Sequence, residues 1–340
     1  MRRTIGLLFG LSLAALPLAA RAYDWAEAAG DDPQFAASKA ICRRLQGLEA
    51  PPADRPDAAM AAQLKDCSSE TLYYGIGVPA DPERARLCAF VEQQKDLGGL
   101  GGTAMLMTVY ANGLGARRDL DLATAYACRI EGAPAESDGR VLHLQRLKAE
   151  GWDGHDFSFC DDITSGYAGG LCAVHAAAIE DAKRAQAAAG LTQGWSAAET
   201  RAFATLQKAK DAYISTSVDN EVDLSGTARV AFEVEQQQAL EEQFLATLKQ
   251  LEAGAAPHEA ASYAAADQRL NLLWKQVMAA EDPFWGTVTK EGIRTAQRAW
   301  LRYRDAWVAF AAVRFPGIPA DDLRALLTEQ RSKLLEDFAG

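Results

Sequence analysis

Residues 72–90 read LYYGIGVPADPERARLCAF, and residues 109–128 read VYANGLGARRDLDLATAYAC. A shift of 38 places Gly113 on Gly75, Gly115 on Gly77, Asp119 on Asp81 and Ala123 on Ala85. The aromatic is one residue out of phase, with Tyr110 falling on Leu72, beside Tyr73. A period of this size is the signature of stacked helix pairs. Each matched position has a physical task. Gly77 and Gly115 supply the backbone freedom needed to leave one helix. Asp81 and Asp119 cap the next one, and Pro82 suits its first turn. Ala85 and Ala123 let the paired helices approach closely.

The rest of the chain has the same character. Alternating apolar and polar runs are missing, and apolar residues recur at steps of three and four. Leu240, Phe244, Leu245, Leu248 and Leu251 form one such stripe; Leu270, Leu273, Trp274 and Val277 form another. Both read as core-facing helix surfaces, so the fold class is all-α. A helix is predicted from Leu171 to about Ala189, after a turn punctuated by Gly166, Gly169 and Gly170. Gly190 to Gly194 break it. Ser196 and Glu199 form a capping-box signature for the next helix, which runs to about Ser215. Residues 220–227, NEVDLSGT, interrupt the pattern, with Ser225 or Thr227 placed to cap a helix ending near Glu252. Gly254 and Pro257 mark the last break.

Met1-Arg2-Arg3, an apolar run from Ile5 to Ala19, and Ala20-Arg21-Ala22 have the layout of a secretory signal peptide. The run is too short for a comfortable membrane span of about 20 residues. The expected organisation is therefore a leader at 1–22, a disulfide-linked repeat domain at 23–189 and a helical domain at 190–340. Its location is periplasmic or secreted, without a lipid anchor or an embedded helix. Beyond the leader the chain carries 32 basic and 46 acidic side chains. Such a surface repels nucleic acid and steers cationic partners inward. Residues 23–196 hold 16 basic and 25 acidic side chains, so the excess lies mostly in the first half.

All six cysteines lie between Cys42 and Cys172. In an oxidising compartment an even set confined to one domain reads as disulfides. There is no Cys-x-x-Cys, and His143, His155, His175 and His258 are scattered, so no metal or other cofactor is expected. Asp153, Asp156, Asp161, Asp162 and Ser165 lack calcium-loop spacing and read as caps and solvated surface. Asn220, Glu221 and Asp223 are three hard oxygen donors without further support.

Residues 104–123, AMLMTVYANGLGARRDLDLA, resemble a Sel1-like repeat, a relative of the tetratricopeptide repeat; the copy around Gly75–Ala85 matches the second half of that pattern. Two repeats are fewer than a free-standing solenoid needs, which makes disulfides useful. The resemblance puts Cys88 and Cys128 on the second helices of successive units, side by side. A Cys88–Cys128 bridge follows from it, and Cys42–Cys67 and Cys160–Cys172 would then join neighbours in sequence.

The C-terminal words are the most distinctive. Residues 263–278 read YAAADQRLNLLWKQVM, residues 294–305 read RTAQRAWLRYRD and residues 327–334 read LTEQRSKL. This trio resembles the LprI-type lysozyme-inhibitor domain, through Asp267, Leu270, Asn271, Gln297, Arg298, Trp300, Leu301, Arg304, Asp305, Gln330 and Arg331. Family members commonly hold a cysteine just after the Arg-Asp pair; Trp307 and Val308 stand there instead, so helix packing must stabilise this domain alone. Asp267 and Asn271 share a helix face, as do Gln297, Trp300, Leu301 and Arg304. Two antiparallel helices would pair Asp267 with Arg304 and Asn271 with Gln297, beside Trp274 and Trp300. Asp305 completes the set of candidate partner-contact residues.

The resemblance implies a protein partner, a lysozyme, and inhibition by contact. A repeat scaffold of the periplasm without inhibitory activity is the alternative. Residues 262–340 carry 11 basic and 10 acidic side chains, so this domain does not capture a basic enzyme by net charge alone. No Gly-x-Ser-x-Gly, His-Glu-x-x-His or phosphate-binding glycine loop is present, so no catalytic residue is assigned and the chain is read as non-enzymatic.

Overall fold

The structure, a computed structural model, describes residues 23–95, 99–255, 262–281 and 284–339. The leader at 1–22, Pro257 and His258 lie outside the described residues. Among the described residues the chain is all-helical. The α-helices are α1 (Trp25–Ala28), α2 (Ala36–Leu45), α3 (Ala58–Gln63), α4 (Ser69–Tyr74), α5 (Pro82–Lys95), α6 (Thr103–Asn112), α7 (Leu120–Ala127), α8 (Pro134–Ala149), α9 (Gly166–Thr192), α10 (Ala197–Glu221), α11 (Arg229–Glu252), α12 (Tyr263–Ala279), α13 (Lys290–Arg314) and α14 (Ala320–Ala339). No described helix is long and apolar enough to cross a membrane.

The internal repeat is visible as hydrogen bonding. The Asp81 N–H donates to the Leu72 carbonyl at 2.8 Å, and the Asp119 N–H donates to that of Tyr110 at 3.0 Å. The side chain of Asp81 accepts from Arg84 N–H and that of Asp119 from Leu122 N–H. Thus α4–α5 and α6–α7 are two copies of one hairpin, 38 residues apart in sequence. Gly115 shows why the turn needs glycine: its φ is +87°, and a Cβ there would lie 2.2 Å from the Pro82 carbonyl oxygen.

Around these hairpins sits a first core that includes Tyr73, Ala85, Phe90, Leu106, Tyr110, Tyr126 and Leu144. The N-terminal segment closes it. Trp25 is 1% exposed; its indole donates to Ser38 at 2.9 Å, and its backbone N–H donates to the Cys128 carbonyl at 2.8 Å. This docking lays α2 against α7 and α8.

Two of the expected disulfides are therefore corrected. The pairs are Cys42–Cys128 and Cys67–Cys88, not Cys42–Cys67 and Cys88–Cys128; Cys160 pairs with Cys172. The physical reason is the N-terminal segment. It inserts α2 beside the end of α7, so Cys42 meets Cys128 first. Cys67 lies between α3 and α4, and α5, which carries Cys88, packs on both.

The second core is an aromatic-rich bundle that includes Phe203, Tyr213, Phe244, Trp300, Tyr303, Trp307 and Phe310. Helices α10 and α13 run antiparallel, with Arg314 against Glu199 at one end and Gly292 against Asn220 at the other. Ser196 and Glu199 form the expected capping box. Helix α9 starts at Gly166 rather than Leu171, because Gly166 and Gly170 are contact points and not turn residues. A Cβ on Gly170 would lie 2.9 Å from the Val230 side chain, and one on Gly166 would lie 2.6 Å from the Ala228 nitrogen. Helix α9 continues through Gly190 to Thr192 and runs alongside α11, where Arg184 contacts Gln238. Neither Ser225 nor Thr227 caps α11; its N-cap is Ala228, without a side-chain bond.

Candidate functional site

The polar residues of the C-terminal motif divide into a buried network and an exposed face. Arg331 on α14 is 1% exposed and makes two bonds to the Glu221 carboxylate at the end of α10, at 2.9 and 2.5 Å. Its Nε donates to Gln297 on α13 at 2.8 Å. Glu221 also accepts from Ser217 at 2.8 Å, and Ser217 accepts from Gln236 on α11 at 3.1 Å. Gln330 donates to Thr247 on α11 at 3.2 Å. The guanidinium thus ties three helices together, and Ser217 and Gln330 extend the network to α11. Burial pushes the nearby Tyr213 hydroxyl up to about 12, so it is neutral at physiological pH and Glu221 is the anion that balances Arg331. A forked guanidinium–carboxylate pair of this geometry specifies orientation as well as charge.

The pairs expected from sequence are not the ones made. Asp267 accepts from Asn271 at 2.8 Å, along the solvent side of α12. Arg304 bonds its neighbour Asp305 at 3.0 and 3.2 Å and the Tyr263 hydroxyl at 3.3 Å, while its guanidinium lies 5.3 Å from the Trp300 ring centre. Gln297 faces Arg331, not Asn271. The correction has a geometric cause. The buried stripe of α13 runs through Ala296, Trp300, Tyr303, Trp307 and Phe310. Gln297 lies beside that stripe where α14 crosses it, whereas Arg304 sits at its edge.

Trp274 is half-buried against the second core and Trp300 is buried within it. Trp307, where the resembled family has a cysteine nearby, is fully buried among Tyr303, Phe310 and Phe244, the last with ring centres 5.1 Å apart. Asn271 and Asp305 are exposed and Asp267 is half-buried.

Arg304→Leu therefore has a small expected effect. It leaves no buried carboxylate without a partner, and the cation–π contact of a side chain only 14% exposed is worth about 1–2 kcal/mol. Urea unfolding of the full chain checks this. A loss of about 3 kcal/mol, the lower end for breaking a buried ion pair, would contradict the geometry.

The hard oxygen donors near the end of α10 diverge. Glu221 turns inward to Arg331, while the Asn220 side-chain amide donates to the Thr216 carbonyl. Asp223 faces the segment before α13, accepting from Thr287 N–H at 3.0 Å and its hydroxyl at 3.3 Å. Hydrogen bonds from the Ser225 and Thr287 N–H groups hold its carboxyl below the usual carboxylate range. Among the described residues no three His, Cys, Asp or Glu side chains converge as metal ligands. In the first half, Ser165 caps α9, Asp161 accepts from Ser158 N–H, and Asp162 meets His143 at 2.9 Å.

Sequence reasoning missed Glu221 as the partner of Arg331. The available signal was the Tyr213, Ser217, Glu221 spacing, which places two polar groups on a buried face of α10.

No curated protein and no solved structure matches this chain. The family model described as lysozyme inhibitor LprI matches residues 250–335, the segment holding α12, α13 and most of α14, with Gln297 and Arg331 inside it and Glu221 before it.

Proposed function

We propose that the chain is an exported envelope protein, periplasmic or secreted, that slows a lysozyme-type muramidase by protein–protein contact and without catalysis. The observation that carries this reading is the LprI match over residues 250–335. Three disulfides support an oxidising compartment, as does the leader-like sequence at 1–22. In this reading residues 23–189 are a disulfide-linked repeat domain and 190–340 the inhibitor domain. The exposed Asn271 and Asp305, with half-buried Asp267, are available to a partner, while Gln297, Trp300 and Arg304 hold the helices that present them.

The test is a cell-wall lysis assay with the purified mature chain against c-type, g-type and i-type lysozymes. Slowed lysis by at least one is expected at micromolar concentration, and no inhibition of any overturns the reading. A second ionic strength sorts the mechanism. Charge-driven association weakens steeply as the Debye length falls from ~10 Å at 0.1 M to ~3 Å at 1 M salt. Inhibition through packed contacts persists. The paired hairpins α4–α5 and α6–α7 favour one second reading, a repeat scaffold that docks envelope proteins; it stands in front if no lysozyme is inhibited.

A further inference from the structure

We propose that the cleft between α1 and α2 binds a small zwitterion, a free amino acid or a short unblocked peptide. The cleft lies in the N-terminal segment, outside both repeated hairpins and outside the family-matched residues, so this inference does not rest on the inhibitor reading above. Its volume of about 430 Å³ falls in the range of small-molecule sites, roughly 300–1,000 Å³. Lys39 and Arg43, one turn apart on α2, line it together with Glu27 on α1 and Asp31 in the turn that follows.

Both helices are fixed from the core side. Trp25, the first residue of α1, is held by its indole bond to Ser38 and its main-chain bond to the Cys128 carbonyl. On α2, Cys42 lies between Lys39 and Arg43 in sequence and is joined to Cys128. Ala26, 7% exposed, adds an apolar wall to the cleft. Charged side chains are thus presented on a frame that is ordered before any ligand arrives, which lowers the cost of binding.

Lys39 is the residue that points to a ligand. It is 7% exposed, and among the described residues its ammonium donates to the Gly30 carbonyl and forms no ion pair. A buried lysine is ordinarily paired with a carboxylate. An ammonium has three donors, so two remain open here. Arg43 and Asp31 are exposed, and among the described residues neither side chain has a partner. A carboxylate can take the open donors of Lys39 and the Arg43 guanidinium in charge-assisted bonds. A bare anion in this cleft also meets the charges of Glu27 and Asp31, and a bare cation meets those of Lys39 and Arg43. A ligand carrying both signs, with its carboxylate on Lys39 and Arg43 and its ammonium on Asp31, meets neither repulsion.

The experiment is calorimetric titration of the full mature chain with alanine, with dialanine, and with the N-acetyl and amide forms of each. At least one of the two zwitterions is expected to bind with a Kd below about 1 mM; the tighter of them identifies the source, a free amino acid or a peptide. Blocking either charged end is expected to weaken binding by about tenfold, the scale of one charge-assisted hydrogen bond. Arg43→Ala and Asp31→Asn should each weaken it by about the same factor. Neither variant changes thermal unfolding, because neither side chain has a partner in the fold. Arg44→Ala removes a cation of the same helix that bonds Gln145 and lies outside the cleft, and it leaves binding unchanged. No binding of either zwitterion at about 10 mM overturns the proposal. An N-acetyl form that binds as tightly as its parent overturns the zwitterion and leaves an anion site. Unchanged affinity in both Arg43→Ala and Asp31→Asn overturns the cleft as the place of binding.

Discussion

Arg331→Leu lowers the stability of the C-terminal bundle by about 3–5 kcal/mol, because it leaves the Glu221 carboxylate buried without a cation. The side chains of Arg331 and Glu221 are 0% and 2% exposed, so water cannot take the place of the lost partner. Gln297 loses its donor in the same step. Urea unfolding of the full chain, followed by tryptophan fluorescence, reads the change, since Trp300 and Trp307 both lie in this core. Arg331→Met combined with Glu221→Leu should recover most of the loss, because apolar packing replaces a buried ion pair at little cost. A single-variant loss below about 1 kcal/mol, typical of an average substitution, would show that the pair is solvated. Arg304→Leu, whose ion-pair partner Asp305 is exposed, is the internal comparison.

Removing the Cys42–Cys128 bridge is the second large effect, on the order of 4–5 kcal/mol in the chain-entropy account of long loops. The bridge spans 86 residues, against 21 for Cys67–Cys88 and 12 for Cys160–Cys172, whose removal costs nearer 3 kcal/mol each in the same account. Paired serine variants ranked by denaturant midpoint should follow that order. Peptide mapping without reduction tests the pairing itself. The fragment carrying Cys42 is expected to arrive joined to the one carrying Cys128; a Cys42–Cys67 fragment would contradict the way α2 docks on α7 and α8.

Much of the fold was legible because it is local. The glycines and aspartates of the repeated hairpin act within a few residues of themselves, and the Asp81 and Asp119 bonds reproduce the 38-residue shift. The capping box of Ser196 and Glu199 is equally local, and so is the three-and-four spacing of the α11 stripe. Glycines were the exception. Gly166 and Gly170 read as turn residues, yet they lie in α9, where they make room for α11; a sequence shows that a glycine is small and pliable but not which property is being used.

The candidate site was legible in composition and not in wiring. Gln297 and Arg331 both belong to the motif, and both sit in the buried network. The carboxylate that Arg331 takes, Glu221, lies 110 residues away in sequence, on a helix outside the matched segment. By itself the sequence determined the all-helical class, the caps at Asp81, Asp119 and Ser196, an even cysteine set and the resemblance of α12 to α14 to a lysozyme inhibitor. Only the tertiary structure decided that Cys42 meets Cys128, that Glu221 takes Arg331 and that Arg304 pairs with Asp305 and not with Asp267. Helices and caps are selected by interactions reaching three or four residues along the chain. Bridges and buried charge pairs are selected by which helix faces dock, and that choice depends on the side chains of every element at once.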